Sequence, residues 1–390
     1  MLSSPFIFFY GPPGSGKSTL SKRLSEELQL PHYDLDNEIE FNTTKTIPEI
    51  FAESGESGFR QSEIQSLRMV LDRAPGVVAL GGGALLNPES RKLVESSGRV
   101  ICLFASIATI LDRLNLSNNG RPLLDGDVSQ RLSDLLDQRQ DHYDSFGWKM
   151  DTDALSIEEI VWKAQIDLGM FRVSGMGKDY DVRVVNQGLD HLGEMIRARE
   201  MTGPLAIVSD ENVARYYESR ASKSLSDAGY TCESIVIPAG EQHKTFETVQ
   251  GLVSGFLQAG LDRKSTVIAL GGGVVGDLAG FAAAIYLRGI RWVAVPTSLL
   301  AMVDASLGGK TGADLPQGKN LVGAFHAPQL VLADPSTLTS LPEPELRNGM
   351  AEVIKHGLIG EPELFNICCD GSGEIDAKLD EVVRRAMAVK

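Results

Sequence analysis

The run Phe6-Ile-Phe-Phe-Tyr-Gly-Pro-Pro-Gly-Ser-Gly-Lys-Ser-Thr19 leaves the surrounding chain little freedom in how it folds. Phe6–Tyr10, five apolar and aromatic residues, read as a buried strand. Gly11, Gly14 and Gly16, with Ser15 between the last two, let the backbone curl so that its N–H groups face inward. Lys17 and Ser18 follow at the spacing of a phosphate-binding loop, and Thr19-Leu-Ser-Lys-Arg-Leu24 begins a helix whose N-terminus favours anions. Lys17 is placed to reach β- and γ-phosphates, and the Ser18 hydroxyl to bind Mg²⁺. Strand, loop and helix in this order predict a parallel α/β start with a nucleotide as its first ligand.

A chain of 390 residues predicts two or three domains, each able to bury a core. The net charge of −15, with no basic run, argues against nucleic acid as a partner. Positive charge is scarce, so basic residues beside glycine loops become candidates for phosphate or carboxylate binding. Cys102, Cys232, Cys368 and Cys369 lack metal-ligand spacing, and the vicinal pair suits no ordinary disulfide. A reducing, cytoplasmic setting fits. Met1–Tyr10 lacks a basic start and reads as a core strand rather than a signal peptide, and no apolar stretch is long enough for a membrane.

Short apolar runs alternate with helical patterns over residues 1–170, as in a doubly wound α/β domain. Strands are expected at Phe6–Tyr10, Val77–Leu80 and Val100–Phe104, and helices at Ser18–Leu28, Phe59–Arg73 and Val128–Tyr143. The glycines near Leu168–Tyr180 suggest a linker, set at 171–179. A second α/β pattern spans 180–335, with strands expected at Val182–Val185, Leu205–Ser209, Ser234–Ile237, Thr266–Leu270 and Trp292–Val295. Residues 336–390 turn helical and stop inside an expected helix, Glu374–Lys390. Leu-Gly-Gly-Gly occurs at Leu80–Gly83 and Leu270–Gly273, with unlike flanks that point to similar backbone use rather than a repeat.

In the first half, Asp34-Leu-Asp36 falls where a second strand would bring carboxylates beside the phosphates. Phe59-Arg60 is expected to open a helix, and Gly81, Gly82 and Gly83 to expose backbone N–H groups after a strand. Arg121-Pro-Leu-Leu124 lies in a polar stretch, Asn115–Asp127, suited to a lid. The ordered set GPPGSGKST, YDLD, GFR, LGGGA, RPLL and QRQDHY resembles shikimate kinase across residues 1–168. That resemblance implies a nucleoside-monophosphate-kinase-like fold using ATP and Mg²⁺. It gives Asp36 the shikimate hydroxyl to orient or deprotonate, Arg60 and Arg139 the shikimate carboxylate, and Gly82 with its neighbours a ring hydroxyl. Arg121 would close over ATP, Asp34 would steady Mg²⁺ through water, and Arg113 would sit near the adenine.

In the second half, Gly271-Gly-Gly-Val-Val-Gly-Asp277 joins an expected strand to an apolar helix, Leu278–Tyr286. This is a pyrophosphate approach or simply tight strand–helix packing. Ser209-Asp-Glu-Asn-Val213 offers polar groups for ribose or adenine, and Gly240-Glu-Gln-His-Lys244 a charged corner. Asp304, Lys310, Thr311, Lys319 and Asn320 form a polar cluster suited to a small multiply charged anion. Glu352, Lys355 and His356 follow at helical spacing.

GGGVVGDLAGFAA, VPTSLLAMVDASLGGKTG, GKNLVGAF and GMAEVIKHGLI together resemble 3-dehydroquinate synthase over about residues 179–390. The resemblance implies a Rossmann-like domain followed by the start of a helical domain. It implies NAD bound by Asp210, Asn212, the corner Ala239, Gly240, Glu241, Gln242, His243 and Lys244, the turn Gly273, Val274, Val275, Gly276 and Asp277, then Thr297 and Ser298. Thr337, Leu338, Thr339 and Ser340 would lie near the cofactor. Asp304, Lys310, Lys355, Arg288, Lys319 and Asn320 would serve catalysis and substrate binding, with Lys310 and Lys319 close to NAD as well. Glu352 would be a ligand of Zn²⁺ or Co²⁺. The implied substrate is 3-deoxy-arabino-heptulosonate 7-phosphate, and the implied assembly a homodimer with Arg288 acting across its interface.

Ser298 and Ala305 stand where the family motif more often has Thr and Ser. The family takes two histidine ligands from a later helical region, and this sequence reaches Lys390 before any such motif. The expectation is therefore a truncated synthase of doubtful second activity behind a working kinase. Two rival readings stay open. One is a gluconate- or nucleotide-type kinase joined to a polyol dehydrogenase or sugar-phosphate cyclase. The other is a kinase carrying a non-catalytic NAD-binding or dimerisation module.

Overall fold

The expected alternation of strands and helices is realised twice. The computed structural model describes residues 6–116, 128–174 and 178–390, which divide into one unit up to Ala164 and another from Gln165 onward. In the first unit the strands are β1 (Phe6–Tyr10), β2 (His32–Asp34), β3 (Val77–Ala79), β4 (Gly98–Phe104) and β5 (Lys149–Asp151). The helices are α1 (Lys17–Leu28), α2 (Leu35–Thr43), α3 (Ile47–Leu71), α4 (Pro88–Ser97), α5 (Ile107–Leu116), α6 (Val128–Asp144) and α7 (Ile157–Leu168), the last crossing the division.

The sheet order is β2-β3-β1-β4-β5, every pair parallel. All five β1 residues are buried because both faces of a central parallel strand are covered, hence its unbroken apolar run. The chain runs to opposite sides of β1, opening a crevice at its carboxyl end, where the glycine loop lies. Contrary to expectation, Phe59 and Arg60 do not open a helix but lie inside α3. A Thr46–Glu49 capping box starts α3 at Ile47, and the only interruption is Gly55, at φ 64°.

The second unit holds β6 (Met170–Val173), β7 (Tyr180–Val184), α8 (Leu192–Arg197), β8 (Leu205–Asp210), α9 (Glu211–Asp227), β9 (Cys232–Ile237), α10 (Phe246–Gln258), β10 (Thr266–Gly271) and α11 (Gly273–Ile285). It continues through β11 (Arg291–Pro296), β12 (Lys310–Leu315), β13 (Gly318–Phe325), β14 (Leu330–Ala333), α12 (Glu343–Gly360), α13 (Pro362–Cys369), α14 (Ser372–Ala377) and α15 (Leu379–Val389). The large sheet runs β6-β7-β14-β11-β10-β8-β9, while β12 and β13 form a separate antiparallel hairpin. Successive residues of β10 enter opposite cores: Val267 and Ala269 one, Ile268 and Leu270 the other. Both faces are thus buried. Among the described residues, no helix is long and apolar enough to cross a membrane.

Two expected boundaries are corrected. The segment read as a linker contains β6, which pairs antiparallel with β7, Met170 opposite Arg183 and Val173 opposite Tyr180. Met170 and Phe171 are buried, so this segment belongs to the sheet. The expected helix Glu374–Lys390 is two, α14 and α15, separated at Lys378, whose ψ of 24° leaves the helical region. Burial of Val382, Val383, Ala386 and Met387 fixes the angle of the second.

Ion pairing reinforces β6. Asp181 accepts from Arg172 Nη1 at 3.0 Å and from Arg199 Nη2 at 2.6 Å, with Arg183 Nη2 at 3.5 Å. Burial pushes its carboxyl up, but the three guanidinium groups outweigh that and hold it below the usual carboxylate range. Arg172→Ala should lower the stability of this unit by about 1.5 kcal/mol at neutral pH in urea unfolding. Because the folded carboxyl is depressed, its contribution is present above the unfolded value of about 4 and lost as pH falls through the folded one. The deficit of the variant should therefore shrink below about pH 4.

Candidate active sites

In the first unit the loop geometry demands glycine: Gly11 sits at φ 137°, where a Cβ would lie 2.3 Å from Leu103 O. Gly14 and Gly16 are also left-handed, at φ 77° and 95°, and α1 starts with no side-chain cap, its N–H groups turned to the cavity. Lys17 Nζ donates to Gly11 O at 3.0 Å and Pro12 O at 2.8 Å, curled over its own loop. Ser18 Oγ donates to Asp34 Oδ2 at 2.8 Å, and Asp34 caps α2 by accepting from Asp36 N. A cavity of about 400 Å³ joins Gly14–Thr19, Asp34, Asp36, Gly81 and Gly82 with Arg113 and Thr152.

Arg113 is fixed by Thr152, donating to its Oγ1 at 2.9 Å and its carbonyl at 2.6 Å. Beside Asp36 lies Glu63, only 2% exposed, whose Oε2 accepts from Arg60 Nη1 at 2.7 Å. Its Oε1 is buried and has no hydrogen-bond partner among the described residues. Burial pushes the Glu63 carboxyl up despite Arg60, and Asp36 pushes the same way. Gly82 O accepts from Tyr143 OH at 2.8 Å and Arg139 Nη1 at 3.3 Å, bringing the second arginine to the same wall.

In the second unit β8 and β10 are parallel neighbours between which the strand order reverses, the point where a doubly wound fold binds its ligand. Gly272 precedes α11 without a side-chain cap, and a Cβ on Gly276 would meet nothing within 4 Å, so the first turn of that helix is open. Asp210, ending β8, accepts from Asn212 N and Val213 N and starts α9. The β12–β13 hairpin closes on the charged corner. Lys319 Nζ donates to Glu241 Oε1 at 2.9 Å, and buried Lys244 donates to Asn320 Oδ1 at 2.6 Å and lies 2.5 Å from Asp277 Oδ2. Glu241 holds the Lys319 ammonium above its usual range; burial pushes the Asp277 carboxyl up against Lys244.

Residues 13–167 match the shikimate kinase family model, and residues 234–348 match that of the 3-dehydroquinate synthase N-terminal domain. The chain joins a shikimate kinase domain to a 3-dehydroquinate synthase N-terminal domain. A 3-dehydroquinate synthase from Synechococcus sp. (strain CC9605) is 48% identical over 227 residues, 56% of this chain and 61% of that protein. The chain thus spans less than two thirds of the length of this curated relative. A shikimate kinase from Acinetobacter baumannii, solved with shikimate, is 34% identical over 42% of this chain and 93% of its own, with a TM-score of 0.40. A 2-epi-5-epi-valiolone synthase from Streptomyces hygroscopicus subsp. jinggangensis 5008, solved with NAD⁺ and Zn²⁺, is 33% identical over 56% of this chain and 62% of its own, with a TM-score of 0.49.

In the kinase domain Lys17, Ser18, Asp34, Asp36, Gly81, Gly82 and Arg113 share one cavity, with Arg60, Gly83 and Arg139 on its flank. Arg121 and its lid lie outside the described residues. Glu63 went unforeseen, since a helical glutamate three residues from an arginine reads as a surface pair. Thr152 carries no sequence signal at all.

In the synthase domain Asp210, Gly273, Gly276, Thr297 and Ser298 gather at the carboxyl ends of the strands, as do Ala239–Lys244 and Thr337–Ser340. Val275, Thr337 and Leu338 are buried in packing and can offer a ligand only backbone groups. Arg288 follows the far end of α11, about 20 Å from Gly273 by helical rise, so within one chain it does not join the cluster. Thr311 spends its hydroxyl on Ala324 O at 2.9 Å and serves the hairpin.

Lys355 and His356 both reach Glu352 Oε1, at 2.5 Å and 3.1 Å, and Asp304 pairs with Lys390. Among the described residues no group of three or more His, Cys, Asp or Glu side chains could hold a metal ion. Glu352 and His356 alone fall short of the three protein ligands of a catalytic zinc, so the donor set present does not fit that centre.

Proposed function

We propose that the first unit phosphorylates shikimate with ATP, and that the second binds NAD⁺ and a phosphorylated sugar acid, as a 3-dehydroquinate synthase does. The observation that carries the kinase half is the single cavity shared by Lys17, Ser18, Asp34 and Asp36, with Arg60 and Arg139 beside it. The loop N–H groups and Lys17 hold the phosphates in line with the attacking hydroxyl. Ser18 and Asp34 fit Mg²⁺, which needs few protein ligands because it keeps water and phosphate oxygens, and which would neutralise charge between the β- and γ-phosphates. Asp36 takes the proton of the attacking hydroxyl. Arg60 and Arg139 hold the substrate carboxylate, for which planar guanidinium groups are suited. Arg121 remains proposed as the group that closes over the transferring phosphoryl.

For the second half, the open first turn of α11 fits a pyrophosphate, with Asp210, Asn212 and the Ala239–Lys244 corner around the remaining nucleotide. NAD⁺ would supply a hydride acceptor for a substrate hydroxyl. On the hairpin, Lys310 at the open end and Lys319 and Asn320 next to the turn are proposed for the charged groups of the substrate, together with Asp304 and Lys355. We assign no step to a metal, and release of phosphate from 3-deoxy-arabino-heptulosonate 7-phosphate is the test of turnover in this half. A homodimer through this half is part of the same reading, checked by sedimentation.

Shikimate-dependent ADP formation by the 390-residue chain tests the first half directly. Arg60→Leu should raise the KM for shikimate about 30-fold, the loss of a charge-assisted contact of about 2 kcal/mol, and leave the KM for ATP within about twofold. Equal activity on gluconate or a nucleoside monophosphate would overturn the substrate assignment.

A further inference from the structure

Tyr10 closes β1 with its side chain fully buried, yet its hydroxyl reaches two acceptors. It lies 3.0 Å from His142 Nε2 and 3.4 Å from Gly82 O. The ring packs edge-on against His142, with centroids 5.7 Å apart at 86°, and tilted against Phe146, at 5.3 Å and 56°. Gly82 O also receives Tyr143 OH and Arg139 Nη1, the latter at a long 3.3 Å. Gly82 is wedged against the phosphate loop, where an added Cβ would lie 3.2 Å from Gly11 O. One carbonyl therefore gathers the end of β1, helix α6 and the glycine turn.

A phenol has one proton to give, and burial keeps that of Tyr10 in place. When Nε2 of His142 is bare, Tyr10 donates to it, and Gly82 O is left to Tyr143 and Arg139. When Nε2 carries a proton, it donates to the Tyr10 oxygen, and the phenol proton turns to Gly82 O in competition with Arg139. We propose that Tyr10 and His142 are positioning residues for the carboxylate-binding arginine: their hydrogen bond decides how much of the Gly82 carbonyl holds Arg139 toward the substrate. This deepens the kinase reading and rests on it.

The charged groups facing His142 are cationic. Burial, Arg91 from α4 and Arg139 from its own helix hold the imidazole below its ordinary value. Arg91 is anchored by Ser145 Oγ at 2.8 Å and lies over the Phe146 ring at 4.4 Å. The neutral imidazole thus prevails at neutral pH; in the tautomer that carries its proton on Nδ1, Nε2 is bare, and the proton that acid adds to Nε2 brings the rearranged hydrogen bond.

The test is steady-state shikimate-dependent ADP formation by the full chain between about pH 5.5 and pH 8, spanning the histidine range. Wild type should show a KM for shikimate that rises toward acid. Tyr10→Phe removes the phenol proton that competes for Gly82 O, so it should keep that KM within about twofold at neutral pH, abolish its rise toward acid, and leave kcat and the KM for ATP within about twofold. His142→Gln, whose amide can occupy the place of Nε2 at fixed charge, should keep a near-normal KM at neutral pH and lose the acid rise. A Tyr10→Phe enzyme that keeps the acid rise in shikimate KM, or one that loses kcat and ATP affinity alike, would overturn the proposal. Wild type without shikimate-dependent ADP formation would overturn the kinase reading itself, and the proposal with it.

Discussion

Asp36→Asn should cut kcat for shikimate-dependent ADP formation about 10³-fold, close to 4 kcal/mol of transition-state free energy, while the KM for ATP stays within about twofold. Asp36 lies in the first turn of α2, where its backbone N–H is tied to Asp34 Oδ1 at 3.1 Å. Its Oδ1 lies 3.4 Å from where a Cβ on Gly81 would stand, so the carboxylate faces the glycine wall of the cavity. Asparagine keeps the shape and the backbone tie but cannot take a proton from the attacking hydroxyl. The loop, Lys17 and the Ser18–Asp34 pair are untouched, which is why ATP binding should hold. A loss of under tenfold at saturating shikimate would mean that Asp36 only orients the hydroxyl, and the base would have to be sought elsewhere.

The phosphate loop was legible because its chemistry is local. Gly11, Gly14, Gly16, Lys17 and Ser18 are set by one turn between one strand and one helix, so spacing alone gives their arrangement. The β12–β13 hairpin was not. β13 is largely exposed and carries Lys319, Asn320 and Leu321 in succession, so it lacks the alternation that marks a strand with one buried face. β6 was hidden for another reason: the sequence between it and β7 is rich in glycine, which reads as a linker although the strands on either side pair. Glu63 and Tyr10 illustrate a third limit. Each shows a bland local pattern, a helix face and a core strand, and gains its role only from Asp36, Gly82 and His142 across the fold. Arg288 runs the other way, since the resemblance implies a substrate role that its position in a single chain does not supply.

Lys244→Met should weaken NAD⁺ binding about 100-fold and destabilise the second unit by about 3 kcal/mol, without changing shikimate-dependent ADP formation. Lys244, in the corner after β9, is buried, and two separated segments converge on its ammonium: Asp277 in α11 and Asn320 in β13. Asn320 is held by its own N–H on Asp314 Oδ1 at 2.7 Å, and Asp314 N donates to Lys244 O at 2.7 Å, so the hairpin and the corner form one closed clasp. Methionine fills the same volume but removes the counter-charge from Asp277, whose carboxyl burial already pushes up. A carboxyl raised in the folded state is disfavoured once ionised, so the penalty develops as pH rises above the unfolded value of about 4. The deficit in urea unfolding should therefore be large at neutral pH and shrink in acid. Adding Asp277→Asn to Lys244→Met removes the orphaned charge and should restore most of the stability but little of the NAD⁺ affinity, because the corner is still open. NAD⁺ titration by fluorescence and urea unfolding read the two effects separately. A stability loss below about 1 kcal/mol would mean that water already shares the clasp, and unchanged NAD⁺ affinity would place the dinucleotide away from the corner.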